Sequence, residues 1–163
     1  MVDVMAIEIE RKFLVATDGW LKKAAPSSQI QQGYLCDLGP LSIRVRTSPG
    51  GQAFLTIKTA EAGCERFEFE YAISASDAQQ LLRYRSGSLI EKTRYVVFDS
   101  HNRWEIDVFS GENDGLVIAE LELSAADQPF DRPSWLGAEV TNDVRYYNAN
   151  LAKHPFATWH TKK

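Results

Sequence analysis

Charged and apolar residues alternate with a period of two in several separate segments of this chain. In residues 7–13, an extended strand places Glu8, Glu10 and Lys12 on one face and mainly apolar residues on the other. The same division occurs in residues 42–46, 53–58, 66–71, 104–108 and 118–123, and less regularly in residues 90–97. Strict alternation is typical of half-buried strands, so the chain is predicted to be rich in β-structure.

Turn-forming residues separate these segments, which predicts an antiparallel meander. Clusters rich in Gly, Pro, Asp, Asn and Ser occur at residues 37–40, 48–51 and 110–115, and a further turn is expected at Ala62 and Gly63, which lie outside the residues that the structure describes. Helices are expected at residues 76–85, with Ser74 or Ser76 as the N-cap, near residues 144–153, and in short form at 19–24. A length of 163 residues with 44% hydrophobic composition predicts one domain over residues 1–163.

The predicted strands repeatedly carry two like charges at positions i and i+2. A solvated sheet face explains such a pair in any single strand, but not its recurrence along the chain. Charges so spaced lie about 7 Å apart and repel by about 0.6 kcal/mol in water, or about 2.4 kcal/mol at an effective dielectric near 20. Enclosing several pairs therefore requires ligands of opposite charge. Acidic pairs suit Mg²⁺ or Mn²⁺, and basic pairs suit phosphate oxygens.

Composition excludes several other classes of partner and chemistry. The formal net charge of -4 argues against nucleic acid as a partner, and no apolar stretch approaches the length of a membrane span. Cys36 and Cys64 form no C-x-x-C motif, which favours a cytoplasmic location. The sequence contains no G-x-S-x-G motif, which would carry a nucleophilic serine, and no P-loop, which would bind a nucleotide phosphate.

The strand motifs occur in an order that resembles one known family. E-x-E-x-K at residues 8–12 is followed by QGYL at 32–35, IRVR at 43–46, LTIK at 55–58, FEFE at 67–70, EKTR at 91–94, WEID at 104–107, AELE at 119–122 and GAEVT at 137–141. This series is similar to the CYTH domain, or triphosphate tunnel metalloenzyme, superfamily, and especially to its short bacterial inorganic triphosphatases. The resemblance implies an α+β, mainly antiparallel fold: a closed or nearly closed eight-stranded tunnel barrel with a few flanking helices.

The resemblance also implies an activity, namely metal-dependent hydrolysis of tripolyphosphate to diphosphate and phosphate with Mg²⁺ or Mn²⁺. It implies that acidic residues hold the metal: Glu120, Glu122, Asp107, Glu10 and Glu8. Glu8 and Glu10 would also act on the attacking water, and Lys12 would orient or deprotonate it. A lysine base needs a lowered pKa, which neighbouring Arg and Lys residues are expected to supply.

Basic residues would bind the phosphate oxygens, and Arg145 would fold over the tunnel as a lid. The phosphate-binding set is Arg44, Arg46, Lys58, Lys92, Arg94 and Arg145, supported in the tunnel by Glu68, Glu70 and Tyr34. Arg11 and Arg66 are interpreted as surface charges. Glu105 and Glu139 are interpreted as ordinary salt-bridge partners.

Other functions remain open from the sequence. Members of the superfamily also hydrolyse thiamine or nucleoside triphosphates, or convert ATP to cyclic AMP as class IV adenylyl cyclases do. A non-catalytic polyphosphate-binding module would keep the basic lining but would not need Lys12 or the acidic set. A compact chain without an evident site for an organic group favours the inorganic substrate. A triphosphate-containing small molecule is the expected partner, and a homodimer is left open.

Overall fold

Ten β-strands form one antiparallel sheet in this computed structural model, which describes residues 6–7, 9–59 and 67–159. The strands are β1 (Ala6–Ile7), β2 (Ile9–Val15), β3 (Ser28–Asp37), β4 (Leu41–Thr47), β5 (Ala53–Thr59), β6 (Phe67–Ile73), β7 (Ser86–Asp99), β8 (Asn102–Ser110), β9 (Val117–Leu123) and β10 (Leu136–Glu139). The helices in these ranges are α1 (Ala75–Leu82), α2 (Asn148–Lys153) and 3₁₀ turns at Gly19–Lys23, Gly111–Asn113, Val144–Tyr146 and Phe156–Thr158.

The strand order brings the two ends of the sheet back to the same short segment of chain. The order is β1-β6-β5-β4-β3-β7-β8-β9-β2-β10, and β1 and β2 are separated in sequence only by Glu8, which lies outside the described residues. Two consecutive peptide steps span at most about 7.6 Å, so β6 and β9 flank one stretch of chain and the sheet curls into a tunnel. No hydrogen-bonded pairing joins β6 to β9 or β2 in the described residues, so the tunnel is closed by the continuous chain between β1 and β2.

The predicted architecture is confirmed, and the difference in strand number has a local cause. The sequence predicts eight strands, whereas ten are hydrogen-bonded in the described ranges. The N-terminal strand changes partner within a few residues, from β6 to β9, and is therefore divided into β1 and β2. The short β10 adds to the outer edge of β2. With β1 and β2 taken together and β10 set aside, eight strands surround the tunnel.

The outer face of the sheet is covered by two apolar layers. The larger one packs Trp104 and Phe13 against Trp20 and Trp135, all buried, beneath the 3₁₀ turn near residue 20 and the segment before β10. The smaller one lies under α1, where Ala78 packs on β4 and β5. Ser74 caps α1 as predicted, its hydroxyl oxygen accepting from the backbone N–H of Asp77 at 3.0 Å.

The helical predictions are confirmed in position, and the C-terminal one is divided in two. Tyr147 has an extended backbone, with φ −74° and ψ 136°, so the 3₁₀ turn at Val144–Tyr146 ends before α2 begins. The short helix predicted at residues 19–24 is a 3₁₀ turn. None of the helices in the described ranges has the length and apolar character required to cross a membrane.

One end of the tunnel is filled by apolar side chains. Leu14, Ile90, Phe109 and Ile118 have the same strand parity as the charged lining, but they pack with the buried Leu151 and Ala152 of α2. At Gly87 an added Cβ atom would lie 2.5 Å from the carbonyl oxygen of Ala152, so the absence of a side chain there allows α2 to approach β7 closely. The helix therefore narrows this end.

Candidate active site

The interior of the tunnel is a charged cavity with a volume of about 250 Å³. Its lining contains basic and acidic side chains in equal number among the described residues, six of each: Lys12, Arg44, Arg46, Lys58, Lys92 and Arg94, with Glu10, Glu68, Glu70, Glu105, Glu120 and Glu122. The remaining lining residues are Ile30, Gln32 and Asn148. The parity pattern therefore brings charges from separate strands together in one enclosure, as predicted.

On one wall, the basic residues of β4 and β5 form ion pairs with the acidic residues of β6. Lys58 lies opposite Glu68, with Nζ 2.9 Å from a carboxylate oxygen, and Arg44 approaches the same carboxylate at 3.6 Å. Arg46 contacts Glu70 at 3.1 Å. Burial, reinforced by the nearby Arg44, lowers the pKa of Arg46. Glu68 and Glu70 thus pair with the basic side chains of this wall, and their supporting role in the tunnel stays a prediction.

Asp107 forms the centre of a buried network on the opposite wall. Its carboxylate accepts from Lys92 Nζ at 2.6 Å and from two nitrogens of Arg94 at 2.6 and 2.7 Å, and the residue is only 1% exposed. Burial would raise the pKa of Asp107, but Lys92 and Arg94 outweigh it and lower the pKa. Asp107 is not part of the cavity lining, so its position favours anchoring Lys92 and Arg94 over the metal binding predicted from sequence.

Lys12 lies between two carboxylates. Its Nζ is 2.9 Å from Glu10 and also donates to Glu120. Burial alone would lower the pKa of Lys12, but the charges of Glu120 and Glu10 outweigh it and raise the pKa. The sequence-based expectation of a lowered lysine pKa is therefore wrong for this arrangement, because carboxylates rather than cations are its nearest neighbours. Lys12 is therefore protonated at neutral pH in this arrangement.

Glu120 lies between two basic residues. It accepts from Lys12 and, at 2.8 Å, from Arg94. Burial would raise the pKa of Glu120, but Lys12 and then Arg94 lower it well below its usual range. Arg94 also donates to one carboxylate oxygen of Glu105, and Arg103 donates to the other. Glu120 is therefore ionised at neutral pH.

The carboxylates on this side of the tunnel face one another across the strands. Glu10 is the register partner of Glu122, and Glu105 is the partner of Glu120. Opposed like charges destabilise a sheet unless a cation compensates them. Glu122 has no ion-pair partner in the described ranges, and no three His, Cys, Asp or Glu side chains there are preassembled as a metal site. The donors are nevertheless hard oxygens of the kind that fit Mg²⁺ or Mn²⁺.

A second cavity, of about 370 Å³, adjoins the charged one beside α2. Tyr34 lines it, and burial raises the pKa of Tyr34 against the opposing effect of Arg44, so the phenol stays protonated. Asp37 and Lys153 also line it and are ion-paired with each other, which links the end of β3 to the end of α2. The tunnel therefore has a charged compartment and a mixed compartment in contact.

Among the described residues, Arg145, like Asp107, is a predicted site residue that does not line either compartment. Arg145 lies outside both compartments, its side chain 65% exposed and bonded through Nε and a terminal nitrogen to Asp143 at 2.9 and 2.5 Å. Its role as a phosphate-binding lid stays a prediction. Glu8, predicted for catalysis and metal binding, lies outside the described residues. Arg66 also lies outside the described residues. Arg11 forms an ion pair with Glu139 at 2.5 Å, away from the tunnel lining.

Three polar residues of the lining were not assigned to the site from the sequence. Glu105 lines the cavity and binds Arg94, although it was interpreted as an ordinary salt-bridge partner. Its shared parity with Asp107 was the signal that could have identified it. Gln32 is buried in the lining and donates to the Tyr34 hydroxyl at 3.4 Å, in a motif quoted without a role for the glutamine. Asn148 lies on α2 rather than on a strand, so the alternation of charged and apolar residues could not have identified it.

An antiparallel sheet curled around paired acidic and basic side chains defines the class of β-tunnel proteins with a charged interior. Within that class, the chain belongs to the CYTH domain family, whose model matches residues 6–156. It is 42% identical over 153 residues to an inorganic triphosphatase of Acetivibrio thermocellus, covering 93% of this chain and 97% of that protein.

Further relatives show the same relationship. An inorganic triphosphatase of Nitrosomonas europaea is 40% identical over 151 residues, covering 89% of this chain and 96% of that protein. The crystal structure of an inorganic triphosphatase matches with a TM-score of 0.67 and 36% identity, covering 91% of this chain and 95% of that one. Sequence and fold therefore agree on the family.

Proposed function

We propose that this chain is a divalent-metal-dependent inorganic triphosphatase that hydrolyses tripolyphosphate to diphosphate and phosphate inside the tunnel. The names of its relatives support the reaction, and one observation in this chain carries the argument. The cavity is lined by six basic and six acidic side chains among the described residues. Such a lining has the groups to bind a condensed phosphate, but it does not neutralise one by itself.

The charge balance explains why metal ions are needed. Tripolyphosphate is a polyanion at neutral pH, and the basic side chains of the lining are already matched by carboxylates. Divalent cations held by Glu10, Glu120 and Glu122 would supply the missing positive charge. When bound, such a cation neutralises phosphate oxygens and lowers the pKa of a bound water. We propose Mg²⁺ or Mn²⁺, because the donors are hard oxygens.

The chain's own residues bind and orient the substrate. Arg44, Arg46 and Lys58 contact phosphate oxygens from one wall, and Lys92 and Arg94 do so from the other. The carboxylates behind them fix these side chains before substrate arrives, which reduces the ordering cost of binding. Lys12, kept protonated by Glu10 and Glu120, orients the attacking water or a phosphate oxygen.

The reaction itself requires no covalent intermediate with the protein. The water oxygen bonds to a terminal phosphorus while the bond from that phosphorus to the bridging oxygen breaks, so diphosphate leaves with the bridging oxygen. The protons of water pass to the phosphate products and solvent. Phosphoryl transfer of this kind depends on positioning and charge neutralisation, both of which the tunnel provides.

A substrate and metal panel tests the proposal. Phosphate release and cyclic AMP formation are measured with tripolyphosphate, ATP and thiamine triphosphate, each with Mg²⁺, Mn²⁺ or a chelator. The expected result is metal-dependent phosphate release with tripolyphosphate as the preferred substrate. Preferred turnover of an organic triphosphate would transfer the assignment to a nucleoside or thiamine triphosphatase, and cyclic AMP would indicate a cyclase. Absence of turnover with every combination would leave a polyphosphate-binding module.

The cellular setting follows from the same argument. We propose a cytoplasmic enzyme acting on a small triphosphate rather than on nucleic acid or a membrane, as composition predicts. The free Cys36 is compatible with a reducing compartment. Light scattering of the purified chain tests whether it forms the homodimer left open by the sequence.

A further inference from the structure

Five described residues line both compartments of the tunnel and so mark the junction between them: Glu10, Lys12, Arg44, Lys58 and Asn148. Four of the five are charged and ion-paired, through the contacts of Lys12 with Glu10 and of Arg44 and Lys58 with Glu68. Asn148 is the uncharged member. A neutral amide at a junction of ion pairs needs a hydrogen-bond partner of its own.

The Asn148 side chain makes no hydrogen bond with any other described residue, although it is half-buried. A partly buried polar group without a protein partner costs stability unless water or a ligand satisfies it. Asn150, two residues further along α2, shows the alternative, because its amide nitrogen donates to the backbone oxygen of Val144 at 2.6 Å. Both asparagines line the mixed compartment, but the amide of Asn150 is bonded to the backbone, whereas Asn148 also lines the charged compartment and its amide bonds no described residue.

The backbone around Asn148 is held by packing on both sides. The hydroxyl of Tyr147 donates to the backbone oxygen of Thr141 at 3.0 Å. Leu151 and Ala152 are buried against the apolar end of the tunnel, and Gly87 permits the close approach of α2 to β7. A side chain on such a fixed backbone can present a hydrogen-bond donor with little loss of conformational freedom.

We propose that Asn148 is a further substrate-binding residue, whose amide N–H donates to a phosphate oxygen where the charged compartment meets the mixed one. This inference rests on the proposed triphosphatase function. Lys12, Arg44 and Lys58 surround the same junction, so a phosphate group located there is contacted by cations as well as by the neutral donor. The α2 helix then contributes directly to substrate binding as well as narrowing the tunnel.

Steady-state kinetics of three variants tests the inference. Asn148→Ala is expected to raise KM for tripolyphosphate about tenfold, because a hydrogen bond to a charged acceptor is lost. Asn148→Asp, nearly the same shape, is expected to raise KM further because its carboxylate repels phosphate. Asn142→Ala is the matched control, since Asn142 is exposed in the same C-terminal segment and lines neither compartment. It should retain the wild-type KM.

The possible outcomes separate this inference from the proposed function. An inactive wild-type protein with every metal would refute the triphosphatase function, whereas an active wild type with unchanged KM in both Asn148 variants would refute the role of Asn148 alone. Thermal melting of each variant identifies loss of folding. If Asn148→Ala melts early, Asn148→Ser, which keeps a short donor, replaces it. A KM for the serine variant between those of wild type and the aspartate variant would support the inference, and equal KM values for all three would contradict it.

Discussion

Asp107 and Glu105 lie two positions apart on β8 and share one strand face, yet they occupy different depths and contact different groups. Glu105 lines the cavity, whereas Asp107 lies beneath Lys92 and Arg94. Strand parity predicts which face a residue is on but not its depth, because depth depends on the side chains that neighbouring strands place above it. The sequence therefore predicted the charged face correctly and left the role of each carboxylate to be decided by packing.

The anchoring role of Asp107 leads to a prediction about binding. Asp107→Asn keeps the shape of the side chain but removes the charge that holds Lys92 and Arg94, so KM for tripolyphosphate should rise about tenfold. The Mg²⁺ concentration for half-maximal activity should stay within about twofold of wild type. The measurement is a pair of titrations, of substrate and of metal. A large increase in the metal requirement with an unchanged KM would instead place Asp107 among the metal ligands.

At the scale of elements, alternation predicted most of the strands because each has one buried and one charged face. It did not predict that the tunnel-facing positions become apolar at Leu14, Ile90, Phe109 and Ile118, since apolar residues on the two faces of a strand look alike in sequence. The packing of α2 against these residues explains the change. Asn148 was missed for the same reason: its place in the tunnel depends on where α2 docks.

The docking of α2 on β7 gives a prediction about stability. Gly87 has φ +76°, and a Cβ atom there would lie 2.5 Å from the Ala152 oxygen, so Gly87→Ala should lower the free energy of unfolding by about 2–4 kcal/mol. Gly50→Ala is the matched control. Gly50 has φ +85° with no atom near an added Cβ, so backbone strain alone should cost about 1 kcal/mol. Urea denaturation measures both. Equal losses would show that α2 does not rest on β7 as described.

For the molecule as a whole, enclosing so many charges makes stability depend on pH. The pKa values of Glu120 and Asp107 are lowered on folding, so both contribute stability that is present above their unfolded pKa values and lost as pH falls through the folded ones. The unfolded values are about 4.3 for Glu and about 3.9 for Asp. Stability should therefore decline as pH falls below about 4.3.

Comparison with Glu120→Gln isolates one of these groups. At pH 7 the variant should be less stable by about 3 kcal/mol, because Lys12 and Arg94 lose a buried partner. The difference from wild type should shrink as pH falls below about 4.3, since Glu120 is then protonated in the unfolded chain while the folded state still holds it ionised. Denaturation at a series of pH values provides the test. A difference that stayed constant down to pH 2 would show that the charge of Glu120 does not stabilise the fold.

Cations and a condensed phosphate are expected to bind together between the charged walls of the tunnel. Anomalous diffraction from crystals grown with Mn²⁺ and a slowly hydrolysed tripolyphosphate analogue would locate both directly. Manganese is expected to be bound by carboxylates among Glu10, Glu120 and Glu122, with the phosphate chain contacting Arg44, Lys58 and Arg94. Manganese and phosphate found only on the outer face of the sheet would contradict this expectation.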